Sequence, residues 1–537
     1  MKRLFLLAMV VMALVVPARA NSWWDNFQPD NTNVWLTSTN LPIVWIDVDG
    51  EMIDRDERIT ARMKIIHNGD GQTNYADTIA HPGQNIDYEG YVAIRYRGSS
   101  SFNISDKKPY SFRPLDKPLE EGGTKKKVDI LGMGKDNNWA LLAPYADKSM
   151  MRDLLAFEVS RPWMEYTPQG RYCEVFLDDI YYGVYILTEV VSKGKHRLDL
   201  PDPGAEGDEL TGGYIMEVNR IDGEVTYTSR YHPVSNTGQR YPDAYISFQY
   251  KSPDYEELTT DQVNYINGRI DQMETALWNF RPTGTANYLE YLDMENFVDY
   301  QIAMELGHNV DGYRLSGKFF KRRDSEDARF KMVVWDMNLA YGNSDYYQGW
   351  RTDTWMYRNN NTLYSEGDPQ LIPFWWYKLN TDPNYTSALK KRWAQYRRSN
   401  LREDRLMATV DSLASVLTSR GAERRNSMAW PRWGEYVWPN YYIADNYKDE
   451  VDYLKNWLSD RIAWMDSQLG YDPNALERGD VDGDGRVTIA DVTALIDRLL
   501  SGTATGGDED VADCDQDGNV TISDVTALID YLLGGSW

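Results

Sequence analysis

Two acidic segments near the C-terminus repeat each other at a fixed distance. "DVDGDGRVTIAD" begins at Asp480 and "DCDQDGNVTISD" begins at Asp513, an offset of 33 residues. In each segment, oxygen-bearing side chains fall at positions 1, 3, 5, 9 and 12 of a twelve-residue loop, and glycine falls at position 6. Hard oxygen ligands around a turn that glycine permits are the coordination that Ca²⁺ takes in proteins. The pattern therefore predicts two calcium sites.

The predicted ligands are the side chains at those positions and the main-chain carbonyl at position 7. In the first loop they are Asp480, Asp482, Asp484, Thr488, Asp491 and the carbonyl of Arg486. In the second loop they are Asp513, Asp515, Asp517, Thr521, Asp524 and the carbonyl of Asn519. Each loop leads into one helix with an apolar face, whereas an EF-hand would also have an incoming helix and a Glu at position 12.

Residues 480–537 contain two copies of a motif in which a loop is followed by one helix. In this duplicated motif they resemble a dockerin domain. The resemblance implies a small all-α domain of two F-hand motifs, which binds calcium and docks to a cohesin on a scaffold or cell surface. Because the two copies are nearly symmetric, it also implies docking in two opposed orientations. A loop that is merely acidic and solvated is the alternative, which two matching copies in register disfavour.

A second candidate site lies at the end of an apolar segment. Met332–Trp335 has the pattern of a buried strand, and this segment ends abruptly in Asp336. A carboxylate at that point either leaves the core or holds a metal. Asn309-x-Asp311 follows a predicted helix, and Asp336 lies 25 residues after Asp311. Two predicted strands between them would bring both carboxylates to the same edge of a sheet.

Four segments together resemble the CotH kinase family, the spore-coat CotH-like atypical protein kinases, over about residues 41–345 and as far as about 470. They are "YRGSSSFNISDKKPYSF", "NWALLAPYADKSMMRDLLAFEVSR", "YYGVYILTEVV" with "GGYIMEVNR", and "GHNVDGYRLSGKFFKRRDSEDARFKMVVWDMNLAYG". The resemblance implies phosphoryl transfer from Mg-ATP to Ser or Thr hydroxyls of a protein substrate. It also implies an α+β, protein-kinase-like fold.

The resemblance gives each segment a role in phosphoryl transfer. It implies that Asp311 is the base or orienting carboxylate and that Lys108 contacts the phosphates, with Lys107 as the alternative. It makes Asp336 the principal ligand of Mg²⁺ or Mn²⁺, with Asn338 beside it. The implied nucleotide-binding residues are Arg97, Gly98, Ser99, Lys107, Glu189 and Asn309. Asp147, Arg152 and their helix resemble the regulatory-helix region of the family, and Glu217 ends a strand as Glu189 does.

Two positions depart from the family pattern. Asn338 stands where the family commonly has a second acid, and Ser316 stands where an Asn often follows the catalytic Asp. One alternative is therefore a non-catalytic, kinase-like structural or adhesion protein. Another is a component of a polysaccharide-degrading assembly, delivered by the dockerin. A glycosidase would need paired carboxylates across a sugar-binding cleft, and no motif in the sequence identifies such a pair.

The N-terminus has the features of a secretory signal peptide. Lys2 and Arg3 precede the apolar stretch Leu4–Val16, and Ala18-Arg19-Ala20 supplies a cleavage site. We therefore expect export and an extracellular or cell-surface location after cleavage near Ala20. No second apolar stretch reaches the length of about 18 residues that would indicate a transmembrane anchor.

Charge and cysteine content exclude two further classes. The net charge of −25 argues against binding nucleic acid through phosphate contacts. The sequence has two cysteines, Cys173 and Cys514, which lie far apart and in different predicted domains, and this excludes a disulfide framework.

Hydrophobic periodicity predicts an α+β fold. Strand patterns dominate as far as about residue 255 and include a hairpin around Asp178–Asp179, and helices follow. One predicted helix is capped by Asp293 and an earlier one begins at Asp147. From Asp480 onward, 13 acidic residues stand against 2 basic ones, which marks a separate domain. We expect a signal peptide (1–20), an N-terminal segment (21–40), a kinase-like domain (41–470), a linker (471–479) and a dockerin (480–537).

Overall fold

A computed structural model describes residues 28–221, 223–472, 477–483, 486–501 and 509–537, apart from the side chains of residues 509 and 510. The predicted signal peptide lies outside the described residues, and so do Asp484 and Gly485 of the first acidic loop.

The strands lie mainly in the first two thirds of the chain. They are β1 (Ser38–Thr39), β2 (Ile43–Asp47), β3 (Ile59–Ile66), β4 (Asn74–Tyr75), β5 (Ile86–Tyr96), β6 (Tyr110–Pro114), β7 (Val128–Asp129), β8 (Lys135–Asp136), β9 (Trp139–Leu142), β10 (Gly170–Leu177), β11 (Ile180–Glu189), β12 (Tyr214–Val218), β13 (Thr226–Thr228), β14 (Ser247–Ser252), β15 (Gly317–Lys321) and β16 (Phe330–Val333).

The α-helices become frequent after residue 260. They are α1 (Ser100–Ile104), α2 (Arg152–Ser160), α3 (Gly207–Leu210), α4 (Thr260–Asn279), α5 (Met294–Gly307), α6 (Asp324–Asp327), α7 (Asn360–Ser365), α8 (Phe374–Leu379), α9 (Pro383–Arg397), α10 (Glu403–Thr418), α11 (Ala422–Ala429), α12 (Tyr447–Leu469), α13 (Ile489–Ser501), α14 (Glu509–Ala512) and α15 (Ile522–Leu532). Both kinds of element are abundant, and the predicted α+β class is confirmed.

The N-terminal region forms a closed barrel. Its strand order is β10-β11-β9-β6-β5-β3-β2, and parallel pairing between β10 and β2 completes the ring. Alternating apolar residues supply a core, in which Ile43, Phe112, Trp139 and Val175 are fully buried. The strand β5 ends at Tyr96, so the following residue, Arg97, emerges at one end of the barrel.

A second, antiparallel sheet carries the segments around the candidate site. Its strand order is β13-β14-β12-β15-β16. The helix α5 packs against β16, against α9 and against α2, and α4 packs against α8. These elements share one large core that includes Phe319, Met332, Trp375 and Trp393. The hairpin β15–β16 and the C-terminal end of α5 therefore meet on one packed scaffold.

Two local predictions are confirmed. The strands β10 and β11 pair antiparallel around Asp178 and Asp179, which both have positive φ angles, 46° and 62°. Two successive left-handed residues are typical of a type I′ hairpin turn, in which Asp is favoured. The Asp293 side chain accepts a hydrogen bond from the amide of Asn296 and caps α5 as expected.

The predicted start of α2 is wrong. The helix begins at Arg152, and the residues from Asp147 to Met151 form a turn in which Met150 has a φ of 61°. A left-handed residue ends helical geometry, so Asp147 lies outside the helix. Its carboxylate instead accepts a 2.9 Å hydrogen bond from the Arg152 amide and pairs with the Arg152 guanidinium.

The described residues after 477 form a small helical unit. The helices α13 and α15 pack on each other, and their buried residues form a separate core with Ala512 and Cys514. Val492 and Leu495 contribute from α13, and Val525 and Leu528 contribute from α15. These positions correspond at the 33-residue offset of the sequence repeat.

Candidate active site and calcium loops

Asn309 links the two carboxylates that the sequence singled out. Its Oδ1 accepts a 3.1 Å hydrogen bond from the amide of Asp311, and its Nδ2 donates a 3.0 Å bond to the main-chain oxygen of Asp336. Asn309 is fully buried at the C-terminal end of α5. The hairpin β15–β16 occupies the sequence between the two aspartates, so its antiparallel pairing returns the chain to Asn309.

Asp336 sits in an unusual backbone conformation. Its φ is 61°, and that of Ser316, on the other arm of the hairpin, is 54°. The Ser316 hydroxyl donates a 2.8 Å hydrogen bond to Asp336 Oδ2. Non-glycine residues in the left-handed region carry strain, which concentrates at functional sites. Ser316, one of the two departures from the family pattern, therefore contacts the predicted metal ligand directly.

Asp153 is a member of the site that the sequence interpretation missed. It lies in the first turn of α2, and its Oδ1 accepts a 2.7 Å hydrogen bond from the amide of Met337. Burial and the nearby charge of Asp336 raise the pKa of Asp153 to about 7. The one feature of the sequence that could have identified Asp153 as a site residue is its position next to Arg152, in the segment that resembles the regulatory-helix region.

Arg97 is the basic residue of this site that is best suited to bind a phosphate group. Burial lowers its pKa, and the charges of Asp336, Asp153 and Glu217 oppose that effect. Its guanidinium lies 5.4 Å from the ring centroid of Trp335. Within the described residues, its buried Nη1 has no hydrogen-bond partner. An unpaired guanidinium nitrogen facing this cluster is available to an anionic ligand.

A buried ion pair lies beside Arg97. Glu217 and Lys318 face each other across β12 and β15, and the distance from Lys318 Nζ to Glu217 Oε1 is 2.8 Å. Lys251 Nζ lies 3.3 Å from the other oxygen of Glu217. Burial alone would raise the pKa of Glu217, but the two lysines outweigh it and lower that pKa. Lys318 was not among the predicted site residues, because nothing in the sequence reveals its register with Glu217.

Asp311 is partly exposed and has its own basic partner. Arg314 Nη2 lies 3.0 Å from Asp311 Oδ1, while Nη1 of the same arginine lies 2.6 Å from Asp368. Burial raises the pKa of Asp311, and the charge of Arg314 opposes this rise. A raised pKa is suitable for a carboxylate that accepts a proton.

The two lysines predicted to contact phosphate point elsewhere. Lys108 Nζ donates a 2.6 Å hydrogen bond to the carbonyl of Phe102, in α1. Lys107 Nζ donates to the carbonyl of Val184 and, at 2.8 Å, to Asn426 Oδ1. None of these acceptors belongs to the group around Asp311 and Asp336.

The Gly98–Ser99 turn follows Arg97 directly. Gly98 has a φ of 81°, and a Cβ there would lie 2.1 Å from Ser101 Oγ, so the turn requires glycine. Ser99 is the N-cap residue of α1, and among the described residues its side chain makes no capping hydrogen bond. The turn therefore fixes where the chain leaves β5. It joins Arg97 to α1, in which the carbonyl of Phe102 accepts the hydrogen bond from Lys108.

Glu189 and Asn338 have neighbours of their own. Glu189 ends β11 and accepts hydrogen bonds from the Gln169 amide at 2.9 Å and the Tyr166 hydroxyl at 3.1 Å. Asn338 is half-buried, two residues after Asp336, and its carbonyl accepts a 2.8 Å bond from Asn343 Nδ2.

Asp153, Asp311 and Asp336, which we call the acidic cluster, offer oxygen donors of the kind that Mg²⁺ prefers. Asp336, Asp153 and Asp311 supply carboxylates, and Ser316 supplies a hydroxyl next to Asp336. Hard oxygen donors of this kind suit Mg²⁺, which is commonly held by one or two carboxylates together with substrate phosphates. Within the described residues, only the two acidic loops near the C-terminus bring three carboxylates within 4.8 Å of one another, so it is the chemical type of these donors, hard oxygen, that fits Mg²⁺.

The two acidic loops bring their carboxylates together. One oxygen each of Asp480, Asp482 and Asp491 lie within 4.8 Å of one another, and the same holds for Asp513, Asp515 and Asp517.

The residue at position 12 is held in the same way in both loops. Asp491 accepts amide hydrogen bonds from Asp482 and Thr488, and Asp524 accepts them from Asp515 and Thr521. The main-chain amide of Asn519 donates to Asp517 Oδ1 at 2.8 Å, and Arg486 lies on the exposed side of the first loop.

Comparison with known families agrees with this organisation. A family model described as CotH kinase protein matches residues 94–465. The chain belongs to the CotH kinase protein family. A second model, described as dockerin type I domain, matches residues 478–533 of this CotH protein and confirms the other predicted component. No curated protein matches the chain.

Both sites fall within the matched regions. The acidic cluster lies inside the CotH match, which begins within β5, so β2 and β3 complete the barrel from the preceding sequence. The dockerin match implies calcium binding, and the carboxylate groups of the two loops fit it. None of the helices in the described ranges combines the length and low charge of a membrane-spanning segment.

Proposed function

We propose that the CotH domain of this protein is an atypical protein kinase, which transfers the γ-phosphoryl group of Mg-ATP to Ser or Thr hydroxyls. The observation that carries the proposal is the double hydrogen bond of Asn309, which ties Asp311 to Asp336. Phosphoryl transfer depends on an orienting carboxylate and a metal-holding carboxylate in a fixed relation, because positioning and electrostatics supply most of the catalysis.

Each residue of the site has a distinct role in this proposal. Asp311 orients the acceptor hydroxyl and takes its proton, while the hydroxyl oxygen forms a bond to the γ-phosphorus and ADP leaves with the bridging oxygen. Asp336, Asp153, Ser316 and Asn338 are the groups that would hold Mg²⁺. The metal, when bound, neutralises phosphate charge. Arg97, whose Nη1 has no hydrogen-bond partner in the part of the chain that the structure describes, supplies a cation for the phosphates.

We further propose that the dockerin attaches the protein to a cohesin and that the protein is exported. Six apolar side chains in the dockerin support the attachment to a cohesin: Ile489 and Ile522 are each 71% exposed, Ile496 and Ile529 each 36%, and Leu500 and Leu533 each 81%. The pairs correspond at the 33-residue offset. Such paired exposed apolar groups are unusual on a free surface and fit a docking face used in either orientation.

The kinase proposal is tested by labelling. The full-length protein is incubated with γ-labelled ATP, Mg²⁺ or Mn²⁺ and a panel of acceptor proteins. Label transfer that disappears in Asp336→Asn and in Asp311→Asn, but persists in Asp353→Asn, is the expected result. Asp353 is an exposed aspartate paired with Arg351, so it controls for loss of a negative charge.

A second candidate function is favoured by the departures at Asn338 and Ser316. An amide at position 338 adds no charge to the metal site, and the Ser316 hydroxyl already occupies Asp336 Oδ2. If calorimetry detects no ATP binding with either metal, the kinase proposal fails. The protein would then be a kinase-like adhesion or structural module, or part of a polysaccharide-degrading assembly, and cohesin pull-down with polysaccharide-binding assays would separate these two roles.

A further inference from the structure

A polar pocket lies where the loop between β13 and β14 meets α8. Its lining includes Ser235, Asn236, Tyr357, Arg358 and Tyr377. The empty space of the pocket, counted out to the solvent, is about 410 Å³, which lies in the range of pockets that bind small molecules. The residues of the acidic cluster are not among those that line it.

The loop that lines this pocket is held in one shape. The Ser235 amide donates a 2.8 Å hydrogen bond to the carbonyl of Gln239, and the Ser235 hydroxyl accepts a 3.1 Å bond from the Gln239 amide. Asn360 ties the loop to the segment before α8, because its Nδ2 donates to the carbonyls of Val234 and Ile372, both at 2.9 Å. A pocket with walls fixed in this way binds a ligand without the entropic cost of ordering a loop.

Three polar groups of the lining are open to a ligand. Among the described residues, the side-chain amide of Asn236, the hydroxyl of Tyr377 and the two Nη atoms of Arg358 have no hydrogen-bond partner. Arg358 uses only its Nε, which donates a 2.9 Å bond to the Tyr357 hydroxyl. A Cβ at Gly238 would lie 2.8 Å from the Tyr377 hydroxyl oxygen, so glycine at this position leaves that hydroxyl room.

The charge of the lining favours an uncharged ligand. Among the described residues that line the pocket, Arg358 is the only charged one, so a cationic ligand would meet repulsion and no carboxylate. An anionic ligand would meet a single exposed guanidinium, in a chain whose net charge of −25 repels anions at long range. Amide and phenol groups both donate and accept hydrogen bonds, which matches a neutral ligand with several hydroxyls.

A stacked pair of tyrosines adjoins the pocket. The ring centroids of Tyr241 and Tyr364 lie 4.2 Å apart, and Tyr364 is 40% exposed. Asn361 links this pair to the pocket, because its Oδ1 accepts a 2.9 Å bond from the Tyr241 hydroxyl and a 3.3 Å bond from the Asn236 main-chain amide. A sugar ring has an apolar C–H face and hydroxyls around its edge, so an exposed aromatic ring beside hydrogen-bonding groups suits it.

We propose that this pocket binds a neutral oligosaccharide. Asn236, Tyr377 and Arg358 bond the hydroxyls of the sugar unit inside the pocket, and Tyr364 stacks on the adjoining unit. The proposal does not depend on kinase activity, because the acidic cluster contributes no residue to the pocket.

The test is a titration of the full-length protein at pH 7 with four neutral tetrasaccharides: cellotetraose, xylotetraose, mannotetraose and maltotetraose. Saturation-transfer NMR and isothermal titration calorimetry report binding. We expect saturable binding of at least one of them. Asn236→Ala and Tyr377→Phe should each weaken that binding by about three- to tenfold, since each variant loses one hydrogen bond to a sugar hydroxyl. Asn264→Ala, an exposed asparagine of α4, is the matched control and should bind normally.

Three results would overturn the proposal. The first is the absence of saturable binding by any of the four tetrasaccharides, and the second is equal binding by all the variants. The third is binding of ATP that weakens in Asn236→Ala as much as sugar binding does, which would assign the pocket to a nucleotide.

A measurement on the unmodified chain covers the case in which a variant fails to fold. Phenylglyoxal modifies arginine side chains, and mass spectrometry gives the modification rate of Arg358. We expect the bound tetrasaccharide to slow modification of Arg358 and to leave that of Arg405, an exposed arginine of α10, unchanged. A rate for Arg358 that the sugar does not alter would contradict the pocket as the binding site.

Discussion

The main-chain amide of Met337 donates a 2.7 Å hydrogen bond to Oδ1 of Asp153. The bond joins the first turn of α2 to the residue that follows Asp336, so the strained loop carrying Asp336 is held by a helix. A neutral carboxyl or amide oxygen can accept this bond as a charged one can. In addition to its proposed part in holding Mg²⁺, Asp153 therefore positions this loop whatever its protonation state.

Two replacements of Asp153 distinguish the contribution of this hydrogen bond to stability from that of the charge. In Asp153→Ala the Met337 amide is left buried without an acceptor, and the free energy of unfolding should fall by about 1–3 kcal/mol. Asp153→Asn keeps an acceptor oxygen, so its free energy of unfolding should fall clearly less than that of Asp153→Ala. Urea unfolding at pH 7 measures both values. Equal losses in the two variants would show that the hydrogen bond does not hold the loop.

Arg152 anchors the other side of the same helix. Its guanidinium pairs with Asp147 and, at 2.9 Å, with Glu450, and its Nε donates to the carbonyl of Ala340. Arg152→Met leaves two buried carboxylates without the cation that pairs with them, which should cost about 3–5 kcal/mol of unfolding free energy. Lys448→Met removes an exposed ion pair with Asp452 and should change stability far less than Arg152→Met does. Urea midpoints compare the two, and similar losses would contradict the ranking.

Glu274 predicts a pH dependence of stability. Burial raises its pKa to about 8, against hydrogen bonds from Ser229 and Trp375. Between about pH 4.5 and pH 8 the folded chain keeps a proton that the unfolded chain releases, so stability falls as pH rises through this window.

Glu274→Gln removes that proton linkage. We expect this variant to lose less unfolding free energy than the unmodified protein between pH 5 and pH 8.5, by a difference on the order of a few kcal/mol. Glu290→Gln, at an exposed position, is the control. Parallel pH profiles for all three proteins would show that Glu274 is not the linked group.

The calcium loops predict a stoichiometry. Asp482→Ala and Asp515→Ala each remove the ligand at position 3 of one loop, and isothermal titration should show one calcium bound by each variant and none by the double variant. Asp530→Asn, an exposed aspartate of α15, should still bind two. A single variant that keeps full stoichiometry would remove that residue from the ligand set.

The sequence alone specified the features whose parts lie close together in the chain. The predicted ligands of each calcium site fall within one twelve-residue loop. The Asp178–Asp179 turn and the Asp293 cap likewise depend on neighbours only a few residues away. Short-range geometry of this kind follows from backbone preferences, which each residue carries with it.

Only the tertiary structure decided which distant residues share a site. Asp153 contacts Met337 across 184 positions, Lys318 pairs with Glu217 across 101, and Lys107 turns away from the acidic cluster to Asn426, 319 positions on. Strand register and helix packing fix these contacts, and both depend on the burial of the whole core. A lysine at the start of a strand has the same sequence signature whether it faces a phosphate or, as Lys107 does, a carbonyl of the barrel.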